Sequence, residues 1–442
     1  MPGRWRHRTM RAADGIDPGD TSVTNGTATP SDHVAAIWVP ASIDGSVVAR
    51  RTVVRIADHG TGTGAELASA LDASSSVDLA GFPPAPDLDP IDISVHPFDH
   101  PEGVLLRGPW DGDGSPVRRV VLADRVLGRL TRMHLDAGVG SVHLHAGAVV
   151  DDRGSAVILL GSSGAGKSTA VAYLVEAGLG LITDEQVEVL DAQLVGGFTR
   201  PVAIKMQGLA FAPALVRARV EQDADASGGR ASTAGIETVL VSPTWLGGRH
   251  RLVGRPRLLV ALERADGVDG TSITAVEPAA AFELLCANNL DLLRDPASSL
   301  AVLAQLAATI PTVRLRYGDS PSGAGGVLDG LARPPAFAEV AWSVSGGDDA
   351  GDDRTDQPVD GMPAILGPTH RRSADVLTVD VGGHVLLFHC TTRELVRLNE
   401  QAASVWRSLP AGLDVAQATH RRLAGFFTAH RLVSEHREPP GR

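Results

Sequence analysis

Hydrophobic residues in the middle of the chain follow the pattern of an α/β fold. Short, nearly continuous apolar runs predict buried strands at 142–150, 156–160, 179–183, 258–263 and 312–316. The same pass along the sequence predicts helices at 167–177, 279–287 and 298–308. Because strands and helices alternate, residues 136–335 are predicted to form one α/β domain.

The chain before this domain has weaker patterning. Residues 1–36 are rich in Gly, Thr, Asp and Pro and have no apolar periodicity, so they are predicted to be a disordered tail. Apolar stretches at 37–39 and 53–56 predict strands, and Val126, Leu130 and Met133 lie on one face of a predicted amphipathic helix. Residues 37–135 are therefore expected to form a mixed α/β region.

The chain after the central domain divides into a linker and a small domain. Residues 336–372 contain an acidic, glycine-rich run and three prolines, which is typical of a flexible acidic linker. Within 373–436, hydrophobic alternation predicts three strands, and Asn399 is placed to cap a helix. Asp414 and Gln417 resemble a capping box for another helix. The tail is thus predicted to be a small α+β domain with the order β-β-β-α-α-α.

Composition excludes several classes of protein. The net charge of −12 argues against nucleic acid as the main partner. No apolar run approaches the ~18 to 20 residues of a membrane helix, and the arginine-rich start has no apolar segment after it. Two distant cysteines, Cys286 and Cys390, exclude a disulfide framework and a structural zinc site. A cytoplasmic protein without membrane contact is expected.

The lysine content singles out two positions. Of forty basic residues only Lys167 and Lys205 are lysines, and the remaining thirty-eight are arginines. A GC-rich genome explains the general bias. A retained lysine also suggests a site where a planar guanidinium group would not fit, so both lysines become candidate site residues.

The strongest motif is a phosphate-binding loop. The segment 161–168, GSSGAGKS, matches the pattern G-x-x-x-x-G-K-[ST] and lies between a predicted strand and a predicted helix. Its backbone amides can surround phosphate oxygens, Lys167 can reach the β- and γ-phosphates, and Ser168 can hold Mg²⁺. ATP and Mg²⁺ are the expected cofactors. The predicted nucleotide-binding residues are Gly161, Ser162, Ser163, Gly164, Ala165, Gly166, Lys167, Ser168, Thr169 and Lys205.

Two acidic residues and a histidine accompany the loop. Asp184 and Glu185 follow at the end of the next predicted strand, and His145 precedes the loop by sixteen residues. Adjacent carboxylates at a strand end point in different directions, so one can face a metal ion while the other reaches an acceptor hydroxyl. The alternative is that Asp184 caps a turn and Glu185 is solvated.

The run from His145 through Asp184, Glu185, Gln186 and Val187 resembles the catalytic half of bacterial HPr kinase/phosphorylase, a family related to phosphoenolpyruvate carboxykinases. The resemblance implies a P-loop kinase domain that transfers phosphoryl from ATP to a hydroxyl. It implies Asp184 as catalytic base, Glu185 and Ser168 as metal ligands, and His145 and Lys167 near the transferred group. The family usually has Asp-Asp where this chain has Asp184-Glu185. HPr itself is not expected as substrate, because the glycine-rich signature loop of HPr kinases is not found.

The tail resembles the PqqD family of winged-helix peptide-binding domains from pathways that modify ribosomal peptides. The resemblance rests on segments 377–379, 384–388, 397–399 and 402–406. It implies that a precursor or leader peptide adds as a strand along the edge from Glu394 to Asn399. Arg393, Arg397, Arg421 and Arg422 could form a basic rim. A winged helix can also bind DNA, but the acidic net charge argues against it.

Together these features predict an ATP/Mg²⁺-dependent Ser/Thr kinase of a precursor peptide in ribosomal peptide natural-product biosynthesis. Tethering by the linker would raise the local concentration of the peptide. Partner modification enzymes and a homo-oligomer are also expected. Two alternatives stay open, an ATP-switched peptide-binding chaperone and a kinase for small hydroxyl compounds.

Overall fold

The structure of the protein is a computed structural model. It describes residues 31–43, 46–72, 77–79, 82–83, 85–98, 103–136, 142–191, 193–226, 238–265, 267–346, 369–409 and 418–436. Among these residues no helix is both long and apolar enough to cross a membrane. The predicted capping box of Asp414 and Gln417 lies outside the described residues.

The N-terminal region is a five-stranded sheet covered by two helices. Its elements are β1 (Ser31–Ile43), β2 (Ser46–Asp58), α1 (Gly64–Leu71), β3 (Val77–Asp78), β4 (Ile91–Pro97), β5 (Gly103–Gly108), β6 (Asp111–Arg118) and α2 (Leu122–Asp136). The sheet order is β1, β2, β4, β5, β6, and only the β2–β4 pair is parallel. Its core contains Val54, Leu106 and Val126, and Phe198 from the next domain completes it.

One boundary predicted for this region is wrong. The tail predicted over 1–36 extends too far, because Ser31 already begins β1 and pairs with Asp58. Residues 1–30 lie outside the described residues. The pairing of β1 with β2 gives residues 31–36 the backbone partners that composition alone does not reveal.

The central domain follows the predicted alternation of strands and helices. Its elements are β7 (Val142–His145), β8 (Gly147–Val150), β9 (Ser155–Leu160), α3 (Lys167–Glu176), β10 (Gly180–Thr183), β11 (Gln186–Asp191), β12 (Leu194–Gly196), β13 (Val202–Lys205), α4 (Met206–Leu209), α5 (Ala214–Ala226), β14 (Thr238–Val241), β15 (His250–Arg251), β16 (Val253–Arg264), β17 (Thr271–Val276), α6 (Pro278–Asn288), α7 (Pro296–Thr309), β18 (Thr312–Tyr317) and α8 (Ser320–Ala332). Short 3₁₀ helices span Arg119–Val121 and Pro243–Leu246.

A large mixed sheet forms the centre of the molecule. Nine strands follow the order β3, β15, β10, β8, β9, β16, β12, β11, β7. In addition, β18 pairs with β16, and β17 pairs with β18. β16 runs parallel to β9 and β18. One hydrophobic core includes α3 residues such as Val171 and Leu174, and the other includes α6 and α7 residues such as Phe282 and Leu303. The fold is therefore a mixed α/β fold, with both faces of its sheet buried.

The tail forms a second, smaller sheet. Its elements are β19 (Trp342–Ser345), β20 (Thr369–Arg372), β21 (Val376–Val381), β22 (His384–His389), β23 (Glu394–Arg397), α9 (Glu400–Ser408), α10 (Ala418–Ala429) and β24 (Val433–His436). The four-stranded sheet has the order β19, β21, β22, β23, so β23 is its last strand. Asn399 caps α9 as predicted, and its side chain accepts a hydrogen bond from Ala402 N at 2.8 Å.

The tail sheet is packed on the central domain. Val379, Val381, Leu386 and Phe388 share one hydrophobic core with α6 and α7 residues. The predicted linker over 336–372 is wrong at both ends, because β19 and β20 lie inside it and β19 pairs with β21. Burial of these apolar side chains between sheet and helices fixes the tail in place, so it is not a freely tethered module.

Candidate functional site

The phosphate-binding loop connects β9 to α3, where the motif predicts it. Gly164 and Gly166 have φ angles of 87° and 89°, in the left-handed region that favours glycine. A Cβ at Gly166 would lie 2.3 Å from Tyr317 Oη. Tyr317 donates a hydrogen bond to Ala165 O at 2.5 Å. Tyr317 and Gly166 therefore hold the loop in one conformation.

The N-terminus of α3 is open to an anion. Gly166 is its N-cap and provides no side-chain hydrogen bond. The first-turn amides of a helix have no partner within the helix, and they carry the positive end of its dipole. Ser168 and Thr169 belong to this turn, as predicted. The loop and the helix terminus together form the cradle that binds phosphate in other proteins.

Lys167 lies against the loop. Its Nζ donates to Gly161 O at 2.6 Å and to Ser162 O at 3.4 Å. Burial lowers the pKa of Lys167 to about 8, and the nearby Glu185 and Asp184 partly oppose this effect. A cation held only by carbonyl oxygens is positioned to transfer its hydrogen bonds to a phosphate.

Asp184 is sealed inside the protein. Its side chain is 1% exposed, and Oδ2 accepts a hydrogen bond from Ala203 N at 2.7 Å. Burial raises its pKa to about 6, and a hydrogen bond from the Ser168 side chain acts in the opposite direction. Oδ1 lies 3.3 Å from Arg200 Nε without hydrogen-bond geometry. Asp184 thus lies beside the serine of the loop, and its Oδ1 faces the buried Arg200 guanidinium.

Glu185 is the more exposed of the two carboxylates. Its side chain is 45% exposed, and Oε2 lies 2.6 Å from Arg200 Nη1. The Arg200 guanidinium holds the pKa of Glu185 below its usual value. The two carboxylates therefore differ in exposure, yet both contact the same guanidinium rather than pointing in different directions.

Arg200, which is not among the predicted site residues, joins the two acids. The guanidinium is 1% exposed and contacts both Asp184 and Glu185. The charge of Asp124 on α2 also stabilises it, and its Nη1 donates to Thr131 Oγ1 at 3.3 Å. The available signal was an arginine inside a mostly apolar segment, 198–204. A buried arginine needs paired acids, and in the fold these are Asp184 and Glu185, although Glu188 and Asp191 are nearer in sequence.

His145 and Lys205 complete the group. Burial lowers the pKa of the half-buried His145, and the charge of Lys167 acts in the same direction. Glu185 opposes this shift, which places its charge close to the imidazole. Lys205 Nζ lies 3.4 Å from Ser163 Oγ. Every residue predicted for the site therefore lies at the loop or next to it, and α2 of the N-terminal region forms one wall.

Comparison with known proteins gives little further information. No protein-family profile matches the sequence, and no curated protein matches it. Among solved structures the chain is similar to an HPr(Ser) kinase/phosphatase from Coxiella burnetii, with 13% identity and a TM-score of 0.22. The match covers 43% of this chain and 93% of that chain. Similarity this distant assigns no activity, so the resemblances to HPr kinases and PqqD domains stay predictions.

Proposed function

We propose that this protein is an ATP- and Mg²⁺-dependent kinase that phosphorylates a hydroxyl group. The observation that carries the proposal is the arrangement at the N-terminus of α3. Lys167 lies against the loop carbonyls, Asp184 lies beside Ser168, and Glu185 is directed to the more exposed side. Kinase catalysis consists mainly of positioning and charge neutralisation, which are what these residues can provide.

The residues fit a magnesium nucleotide. The first-turn amides of α3 and Lys167 would hold phosphate oxygens, and Ser168 with Asp184 would hold the metal ion. Asp184 Oδ1 is a buried carboxylate oxygen without a hydrogen bond among the described residues, as expected for a metal ligand. Bound Mg²⁺ would neutralise charge on the phosphates. Lys205, at Ser163, would add a second positive charge beside the loop.

The geometry supports an exchange of the two carboxylate roles predicted from the family resemblance. Asp184 is buried beside Ser168, so it is better placed as the metal ligand than as the base. Glu185 is the acid that an acceptor hydroxyl can approach from solvent. Glu185 is therefore assigned as the base, with His145 next to it. Arg200 would have to release its contact with Glu185 for the carboxylate to accept a proton.

The proposed acceptor is a Ser or Thr of a precursor peptide bound by the tail, within ribosomal peptide biosynthesis. β23 is the last strand of its sheet, so its outer edge can add a peptide strand. Phe426 of α10 is 37% exposed and its ring lies 4.4 Å from that of His430, which contacts Glu394 of β23. Arg397 is bound to Glu277 at 2.5 Å, so it is already paired. The side chains of Arg421 and Arg422 are not described.

A second candidate is a peptide-binding chaperone that uses ATP as a switch. The specific observation in its favour is the 2.6 Å contact between Arg200 and Glu185. A carboxylate in a close ion pair is a poor proton acceptor, whereas nucleotide binding does not need a base. In this version the loop would bind ATP and the tail would deliver the peptide to partner modification enzymes.

Incubation of the protein with γ-labelled ATP and the peptide encoded beside its gene separates the candidates. Labelled peptide supports the peptide kinase, and free phosphate alone supports the switch. Label in a small hydroxyl compound supports a small-molecule kinase. Lys167→Ala should abolish every labelled product, because it removes the charge at the loop. Glu66→Gln on the surface of α1 is the matched control and should leave labelling unchanged.

A further inference from the structure

A second cluster of potential ligands lies apart from the phosphate-binding loop. It consists of His134 on α2, His143 on β7 and Glu188 on β11. One ligand atom from each of the three lies within 4.8 Å of the other two. We infer that His134, His143 and Glu188 bind one divalent transition-metal ion, of the Zn²⁺ class.

The cluster is buried and incompletely hydrogen-bonded. His143 and Glu188 are fully buried, and the His134 side chain is 9% exposed. His134 Nε2 lies 3.2 Å from Glu188 Oε2. Within the described part of the chain, His143 Nε2 and Glu188 Oε1 have no hydrogen-bond partner. A His134–Glu188 ion pair would leave both atoms unsatisfied, and a buried polar atom without a hydrogen bond destabilises the fold. A metal ion would satisfy all three side chains at once.

The surroundings of His143 resemble the outer shell of a metal site. Its Nδ1 lies 2.7 Å from Asp291 Oδ2, which leaves Nε2 facing the cluster. Asp291 is itself held, because Oδ1 accepts from His143 N at 3.1 Å and its backbone N donates to Asn289 Oδ1 at 2.8 Å. Metal-binding histidines commonly pair their other ring nitrogen with a carboxylate in this way, which fixes the tautomer and the ring orientation.

The ligand set favours zinc among the divalent ions. Two imidazoles and one carboxylate suit Zn²⁺ and its neighbours in the first transition series, whereas Mg²⁺ and Ca²⁺ prefer oxygen ligands throughout. Three protein ligands leave a fourth position for water. The cluster contains no cysteine, so the wide separation of Cys286 and Cys390 has no bearing on it.

The position of the cluster determines which parts of the protein a bound ion would connect. His143 and Glu188 are direct cross-strand partners, and the next pair on the same face of these strands is His145 with Gln186. The cluster is therefore about 7 Å from the His145 position along β7. His134 comes from the helix that also supplies Thr131 to Arg200. A bound ion would join the N-terminal region to the central sheet beside the proposed active site.

Metal analysis of the intact protein tests the inference. Protein treated with chelator and reloaded with Zn²⁺ should retain about one equivalent after gel filtration, and its thermal midpoint should rise. Cobalt in place of zinc should give the d–d absorption bands of a low-coordinate site. Glu188→Gln and His143→Ala should lose the retained ion and the absorption bands. Glu66→Gln, on the surface of α1, should keep both.

Because the variants can lose stability for other reasons, the unmodified protein provides the decisive result. Retention of less than a tenth of an equivalent of zinc or cobalt by the folded wild-type chain overturns the inference and leaves a buried His134–Glu188 pair. Equal retention by wild type and Glu188→Gln also overturns it. The readouts need no nucleotide, so a failed kinase assay would not affect them.

Discussion

At the scale of single residues, the sequence predicted which polar groups lie together better than it predicted how they are paired. Asp184, Glu185, His145 and both lysines are gathered at the loop. Adjacency in sequence did not predict which of the two carboxylates is exposed to solvent, because that depends on how the folded protein buries each side chain. Arg200, which links both acids, depends on a tertiary contact with α2 that no local pattern encodes.

The exchanged roles of the acids predict different effects on nucleotide binding. Asp184→Asn should lower the Mg²⁺-dependent affinity for ATP at least about tenfold, because it removes the charge beside Ser168. Glu185→Gln should change this affinity by less than about threefold, since Glu185 serves the acceptor. Titration calorimetry with and without Mg²⁺ measures both. The reverse order of effects would restore Asp184 as base.

Two perturbed groups predict a bell-shaped pH dependence of MgATP affinity. Below about pH 6 Asp184 becomes protonated and loses the charge that holds the metal. Above about pH 8 Lys167 loses its proton and its attraction for phosphate. Each limb should approach a tenfold loss of affinity per pH unit. Fluorescence titrations from acid to alkaline pH measure the profile, and affinity that stays constant above pH 9 would contradict the role of Lys167.

At the scale of elements, periodicity and the loop motif predicted β9, β10, β18, α3, α6 and α7 within about two residues at each end. They did not predict β11 to β15, β17, α4, α5 or α8. The strand predicted over 142–150 divides at Ala146 into β7 and β8, because β7 pairs with β11 whereas β8 pairs with β9 and β10. The early start of β1 was missed, since pairing with β2 comes from outside the segment. Gly164 and Gly166 of the loop adopt positive φ angles, which glycine accommodates more easily than other residues.

The tight contact at Gly166 gives a prediction at this scale. Gly166→Ala should destabilise the fold by about 1–3 kcal/mol and weaken nucleotide binding, because it combines a left-handed φ with a clash against Tyr317 Oη. Gly128→Ala is the matched control within α2. It meets no atom within 4 Å and should stabilise the helix by about 0.5–1 kcal/mol. Denaturant unfolding measures the free energy of unfolding of both variants. An equal change in the two would contradict the clash between residue 166 and Tyr317.

At the scale of the whole molecule, the sequence separated a tail domain but missed its attachment. Alternating apolar residues in β21 predict a buried face, but they do not tell whether that face packs on a helix of the tail or on the helices of another domain. Here Val379 and Val381 pack toward α6 and α7, while Leu387 and Trp406 belong to the separate core of the tail. The outer edge of β23 therefore has a fixed position relative to the loop, and a peptide bound there would be presented without a flexible tether.

This shared core predicts the effect of removing the tail. A chain that ends at residue 335 should aggregate or unfold at least about 10 °C lower than the full chain, because the faces of α6 and α7 become exposed. Differential scanning calorimetry on both chains measures the change. An unchanged midpoint, with ATP binding retained, would mean that the tail is an independent module.

The central claim is that the loop and its acids transfer phosphate to a hydroxyl. A single-turnover reaction with excess protein, MgATP and the candidate peptide tests it most directly, with mass spectrometry of the peptide as the readout. We expect one phosphate on a Ser or Thr with wild type, none with Lys167→Ala, and at least about a hundredfold slower transfer with Glu185→Gln. Transfer by Glu185→Gln at the wild-type rate, or ATP turnover without any phosphorylated hydroxyl, would contradict the account.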